Sequence, residues 1–371
     1  MTDWRDDLRG LARDLGSQAR RVARAIDRGV AREPYHIAGY RGYASQWRAL
    51  VMGRAVRDEG VVAPDASHRS WQNLLNLVRR LEADPLPDAR VRATVGGTTV
   101  TITADEEGFV RHWLKCVNAL DAGGWHTVDL ELVHSGLSSP ILATSRVLVP
   151  SPQAAFGVIS DMDDTVLQSE VGTFLRAARL MLLENSRTRL PFPGVAAFYR
   201  ALESGTKGSA PNPIFYVSSS PWNLYDVIAD FLDAQKIPEG PLLLRDWDWS
   251  SALDGHRMHK SSLIREILDA YPWMSFILIG DSGQQDPEIY ARLVSEYRGR
   301  IPAVYIRDVS RTAARSSAIQ ALSTEITAAG STLVLGDDTL TMAKHAAERG
   351  WIDAARLGEI GEEKRSDEGA G

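Results

Sequence analysis

Apolar positions change their period twice along this chain, and each change marks a different kind of structure. Over residues 4 to 26, Trp4, Leu8, Leu11, Leu15, Val22 and Ile26 recur at helical spacing while Arg and Asp fill the positions between them. This is the pattern of one amphipathic helix. Acids are interleaved with the arginines on its polar side, which favours packing against the next domain over lying on an anionic membrane. From residue 36 to 150 the period falls to two. ARVRATV, a Gly96-Gly97 turn and TTVTITA read as a hairpin, and HTVDLELV sets Val128, Leu130 and Leu132 on one face with Thr127, Asp129 and Glu131 on the other. The pattern predicts a β-sandwich-like accessory domain with a helix interposed at 71 to 81, and Pro150 and Pro152 mark its end.

Beyond residue 153 the apolar positions stop alternating and form short continuous runs, FGVIS, IFYVS, LLL at 242 to 244, FILIG and AVYI. Helical patterns at 172 to 185, 194 to 203, 222 to 235, 260 to 270 and 287 to 297 separate them. Strands that are apolar on both faces and separated by helices predict an α/β fold, a Rossmann-like parallel sheet covered by helices. The predicted organisation is therefore an amphipathic helix over 1–35, a β-rich accessory domain over 36–150, an α/β domain over 153–315, a C-terminal helical extension over 316–355 and a charged, glycine-bearing, disordered tail over 356–371.

Composition narrows the functional classes. Of 371 residues, 44% are hydrophobic and 24% charged, enough apolar surface for two or three cores. A net charge of -6 gives no basis for binding nucleic acid. The single cysteine, Cys116, excludes an intramolecular disulfide and a thiolate zinc site, and reads as a small core residue. No run of about 18 apolar residues spans a bilayer, and the N-terminus lacks the apolar segment of a secretory signal, so a cytoplasmic location is expected.

The informative chemistry lies in FGVISDMDDTVL, residues 156 to 167, where a strand-like run ends in Asp161, Asp163 and Asp164. Alone, an Asp-rich turn after a strand is most often a solvated loop. Three further places carry matching groups. IFYVSSSPW ends in Ser218, Ser219 and Ser220, HRMHKSSLIREI offers Lys260, and FILIGDSGQQDPEIY ends in Asp281 and Asp286. Ligands of parallel α/β sheets collect at the carboxyl ends of the strands. Mg²⁺ takes oxygen ligands, so carboxylates from several strand ends suit it and would receive from it the cation they lack. A carboxylate can attack phosphorus, and Ser218 and Lys260 would then hold the phosphoryl oxygens. Ser220 before Pro221 reads more simply as a helix cap. Trp222, Trp247 and Trp249 read as core packing rather than a lipid interface. His256 and His259 lack a third metal-ligating neighbour.

The ordered motifs DMDDT, YVSSSP, HK and GDSGQQD resemble the signature of the haloacid dehalogenase superfamily of phosphatases. More narrowly, SDMDDTV, PFPGVAAFYRAL, SSSPWNLY, HKSSLIREIL and LIGDSGQQDPEIY are similar to the catalytic domain of App1-type phosphatidate phosphatases and their bacterial relatives, over roughly residues 153 to 310. The resemblance implies Asp161 as nucleophile and metal ligand and Asp163 as general acid, then base, and as a metal ligand through its carbonyl. It also implies Ser218 and Lys260 as phosphate-holding residues, Asp281 and Asp286 as metal-binding acids, Thr165 as a brace of the loop, and Mg²⁺ as cofactor. The expected substrate is a phosphate ester, with phosphatidate at a membrane surface as the lipid case and a peripheral location to match. Two alternatives stand beside it: a phosphatase of a soluble ester, and a signalling protein whose aspartate is phosphorylated by a partner. The second has no use for an acid at Asp163.

Overall fold

The computed structural model describes residues 35–57, 84–133, 140–162, 193–208, 210–245, 254–283, 285–309 and 312–369. The helices read over 4–26, 71–81 and 172–185 lie outside these residues, as do Asp163, Asp164, Thr165, Trp247, Trp249 and the side chains of His256 and His259, while Tyr35, the last residue of the segment 1–35, opens a strand.

The first part of the chain forms a nine-stranded, mostly antiparallel sheet. Its strands are β1 (Tyr35–Tyr40), β2 (Gly42–Ser45), β3 (Arg48–Arg57), β4 (Asp84–Pro85), β5 (Arg90–Val95), β6 (Thr98–Thr103), β7 (Phe109–Lys115), β8 (Gly124–Val133) and β9 (Ile141–Val149), with a main path of β1-β3-β2-β9-β8-β5-β6. The β5–β6 hairpin turns at Gly96 and Gly97, whose positive φ of 55° and 71° a two-residue hairpin of this hand requires. Val128, Leu130 and Leu132 are buried, as their alternation predicts. The parallel pairing of β2 with β9 was not expected. Strand β3 is buried at every interior position because it has a core on each face: Ala49, Val51 and Ala55 join the core inside the β domain, and Leu50 and Met52 join that of the second domain.

The second part holds a six-stranded sheet, parallel throughout. The elements are β10 (Gly157–Asp161), α1 (Val195–Ser204), β11 (Ile214–Pro221), α2 (Tyr225–Ala234), β12 (Leu242–Arg245), α3 (Asp254–Ala270), β13 (Phe276–Asp281), α4 (Asp286–Glu296), β14 (Ala303–Arg307), α5 (Ala313–Ala328), β15 (Thr332–Gly336), α6 (Thr339–Glu348) and α7 (Arg356–Gly369). The strand order is β12-β11-β10-β13-β14-β15. From β10 the chain builds outward to β12 on one side and then from β13 to β15 on the other, so the order reverses between β10 and β13. An α/β fold is thus present.

Two expectations are corrected here. The segment 316–355 is not wholly helical: it supplies β15, which pairs in parallel with β14 as an edge strand. Residues 356–369 form a helix rather than a disordered tail. Charged composition alone argues for disorder, but α7 docks on α1 through buried Ile360. Its acids receive amides from the start of α1, Gly194 donating to Asp367 at 2.8 Å and Ala197 to Glu363 at 2.7 Å.

The two domains share a core. Tyr40, Tyr43, Leu50, Met52 and Phe109 of the β domain belong to the hydrophobic cluster of the α/β domain. Around this contact, Tyr271 donates to the Ala44 carbonyl at 3.1 Å, Trp113 donates to Glu266 at 2.7 Å, and Arg41 pairs with Asp233 and Glu239 at 2.9 Å each.

Candidate active site

The reversal of strand order puts three strand ends side by side, and each ends in a polar residue. Asp161 closes β10 opposite Val217 of β11, so Ser218 lies one residue beyond the last paired position. Asp281 closes β13 on the other side of β10. Asp286 opens α4, where Pro287 fixes the first turn and the helix N-terminus favours a carboxylate. Asp161, Asp281 and Asp286 can each offer an oxygen such that all three lie within 4.8 Å of one another, and all are buried.

Lys260 reaches this cluster from α3. Its Nζ stands 2.8 Å from Asp161 Oδ1 and 2.7 Å from Asp286 Oδ1, with about 3% of its side chain exposed. The amide of Asp281 donates to the other oxygen of Asp286 at 3.3 Å, and the Gly283 amide fixes Asp281 Oδ1 at 2.6 Å. Three carboxylates face one ammonium in this cluster. Burying them is costly, and a hard divalent cation among oxygen donors would remove that cost. The donor set therefore fits Mg²⁺: Asp161, Asp281 and Asp286 could hold it.

Sequence reading paired Lys260 with phosphate; its contacts here include the two carboxylates, which it holds in place. Ser218 is buried and its Oγ accepts the Ser220 amide at 3.0 Å. Ser220 does not cap α2, which starts at Tyr225 after a single 3₁₀ turn with Leu224 at the cap position and no side-chain capping bond. Trp222 is buried, in keeping with core packing.

Several supporting residues were given no role in the sequence reading. Gly280 is required because a Cβ there would stand 2.4 Å from Asp286 Oδ2, so only glycine lets α4 approach β13 this closely. Tyr199 hydrogen bonds with Ser160 at 2.6 Å, next to Asp161, and burial pushes its phenol up to about 12, so it stays protonated. Tyr290 donates to the Ile279 carbonyl at 3.0 Å and braces α4 against β13. After Asp281, Ser282 donates to Asp308 at 2.9 Å and its carbonyl takes Arg315 Nε at 2.9 Å. A glycine between an apolar run and an aspartate was the one readable hint among these.

Residues 156–308 match the family described as phosphatidate phosphatase APP1, catalytic domain. The phosphatidate phosphatase APP1 of Saccharomyces cerevisiae is 29% identical over 177 residues, and an uncharacterised protein of Schizosaccharomyces pombe is 28% identical over 179 residues. Each match takes in 47% of this chain and 29% of the relative's length, so the chain spans less than a third of the curated relatives it matches. Among solved structures, a carbohydrate acetylesterase from Xanthomonas citri aligns over 83% of this chain and 70% of its own, at 12% identity and a TM-score of 0.29, a likeness too slight to argue from. No helix among the described residues is long and apolar enough to cross a membrane. Over residues 156–308 the chain is thus similar to the App1-type phosphatidate phosphatase catalytic domain.

Proposed function

We propose that the protein is a Mg²⁺-dependent phosphomonoesterase of haloacid dehalogenase type that works through an aspartyl phosphate, with phosphatidate as the substrate. The observation that carries this reading is the convergence of Asp161, Asp281, Asp286 and Lys260, all buried, where the strand order of a parallel sheet reverses. The match to the App1 catalytic domain supports the substrate.

In this mechanism an oxygen of Asp161 attacks phosphorus, forming an O–P bond as the bond to the alcohol oxygen breaks. Asp163 gives its proton to the departing oxygen. The resulting Asp163 carboxylate takes a proton from water, which attacks the phosphoryl group, releases inorganic phosphate and restores Asp161. Lys260 orients the Asp161 carboxylate and, with Ser218, stabilises the phosphoryl oxygens during transfer. Asp286 acts chiefly by holding Lys260 and the Asp281 amide. When bound, Mg²⁺ supplies a Lewis acid that neutralises charge between the carboxylates and the phosphoryl group.

The test compares release of phosphate from phosphatidate in mixed micelles with release from a panel of soluble esters, each with Mg²⁺ and with a chelator. Phosphatidate turnover that stops on chelation is expected. Preference for the soluble panel removes the lipid assignment, and turnover indifferent to chelation removes the metal. A phosphoryl group that stays on Asp161 for minutes, with no release to water, replaces the phosphatase with a phosphorylated signalling protein.

A further inference from the structure

Among the described residues strand β11 pairs with β10 as far as Val217, and its register with β12 shifts between Val217 and Pro221, so the serine segment lies beyond the regular ladder. Just beyond the serines and Pro221 stands Trp222, with about 4% of its surface exposed and its ring in a nest of aromatic rings. One of these, Tyr225, comes from the same domain, with centroids 6.1 Å apart. The other two come from the β domain. Tyr40 lies nearly parallel to Trp222, at 5.5 Å and 4°, and Phe109 stands 6.1 Å away at 47°. Tyr40 also stacks on Tyr225 at 4.0 Å, and the next residue, Arg41, donates its amide to the Tyr225 hydroxyl at 2.6 Å.

Tyr40 is itself fixed. It ends β1 in register with Met52 of β3, and its carbonyl accepts the Ser145 hydroxyl from β9. The β domain therefore presents a rigid aromatic face to the residue that terminates the serine segment.

We infer that the β domain is a positioning element of the active site: Tyr40, backed by Phe109, holds Trp222 and thereby sets the place of Ser218 at the end of β11. The inference rests on the reading of Ser218 as a phosphate-holding residue for its functional consequence, and on ring geometry alone for its mechanical part. Tyr40 touches no reacting atom in this scheme; it acts through Trp222. Phosphate affinity and Mg²⁺ affinity are then separable, because the carboxylates are held by β10, β13 and α4, which Tyr40 does not contact through these rings.

The experiment uses the full chain with four variants, Tyr40→Ala, Tyr40→Phe, Phe109→Leu and Arg41→Ala, and three readouts. Amide hydrogen exchange over residues 214–224 reports the mechanical part. Binding of inorganic phosphate in the presence of Mg²⁺ and binding of Mg²⁺ alone report the functional part. Tyr40→Ala is expected to speed exchange and to weaken phosphate binding about tenfold or more, the order of loss produced by a displaced positioning contact, with Mg²⁺ binding unchanged. Tyr40→Phe keeps the stack and restores both readouts. Phe109→Leu keeps the core filled and moves them in the same direction by less, so the inference remains testable if Tyr40→Ala does not fold. Arg41→Ala cuts the Asp233 and Glu239 pairs across the same interface and leaves the rings in place; it should behave as wild type.

Wild-type exchange and phosphate binding in both Tyr40→Ala and Phe109→Leu would overturn the inference. So would an equal loss in Arg41→Ala, which would mean that any loosening of the domains has the same effect. If the exchange pattern holds and the wild-type protein binds no phosphate, the positioning stands and the phosphatase reading falls.

Discussion

The two domains bury polar groups in opposite ways. Among the described residues the β domain buries the polar side chains of Arg54 and Ser145, and both are structural: Arg54 donates to the Glu107 carbonyl at 3.0 Å and lies over the Phe109 ring, and Ser145 holds the Tyr40 carbonyl. The α/β domain buries Asp161, Lys260, Asp281 and Asp286 within reach of one another at the carboxyl ends of its central strands. Both domains have full apolar cores, so neither needs such a cluster to fold. Removing charges from water costs several kcal/mol per ion unless partners compensate it. This fold concentrates that cost at a switch point, the place where ligands of parallel α/β sheets collect.

The most severe test of that contrast is Asp161→Asn. The substitution keeps shape and removes the proposed nucleophile, so phosphatase turnover should fall by roughly 10³-fold or more with circular dichroism unchanged. Activity within tenfold of wild type would leave the cluster without its assigned role.

Next comes the contrast between ion pairs. Lys260→Met strips the cation from between two buried carboxylates and should destabilise the protein by about 3 to 5 kcal/mol in chelator, as breaking a buried pair does. Added Mg²⁺ should restore part of that loss if the carboxylates bind it. Arg92→Ala in the β domain breaks a pair of similar length, 2.6 Å to Glu131, but an exposed one, and should cost under about 1 kcal/mol. Denaturant unfolding of both variants decides it; equal losses would mean that burial does not set the cost here.

The same difference explains what could be read from sequence. Strands β10, β11, β13 and β14 were legible because burial on both faces leaves continuous apolar runs, and the β5–β6 hairpin because alternation and a Gly-Gly turn point to one answer. Strand β15 was missed since an edge strand of five residues, TLVLG, is too short and too mixed to separate from the helices around it. Helix α7 was missed because its stability comes from Ile360 and from acids capping α1, neither visible in its own composition. The site residues at strand ends stood out as polar breaks in apolar runs. Their pairing did not, because nothing local says that Lys260 of α3 crosses to Asp161 and Asp286.

Gly280→Ala tests the tight approach behind the cluster. A methyl group would press on Asp286, shift the Lys260 contact and lower turnover by about 10²-fold, the cost of a misplacement near 1 Å. Gly124→Ala at the start of β8 meets nothing within 4 Å and should change stability by less than about 0.5 kcal/mol and leave turnover unchanged. If the two alanines behave alike in a steady-state assay, close packing at β13 has no catalytic consequence.

The smallest expected effect concerns a histidine that the α/β domain half-buries, where the β domain leaves His112 exposed. His345 on α6 lies edge-on to Tyr305 and Trp351, with Tyr305 Oη 3.0 Å from its Nδ1. Arg349 donates to its Nε2 at 3.4 Å, which leaves the proton of the neutral ring on Nδ1, facing the Tyr305 oxygen. Burial, then the Arg349 guanidinium, hold its pKa below the ordinary 6.5, with Glu348 opposing them. The unfolded chain therefore binds this proton more readily than the folded one. Its contribution to stability is fully present above about pH 6.5 and is lost as the pH falls from there through the lower folded value. His345→Gln keeps a polar side chain without the titration, so its melting temperature should decline less than that of wild type between about pH 6.5 and 5. Parallel curves for the two proteins would show that protonation of His345 is as easy in the folded state as outside it.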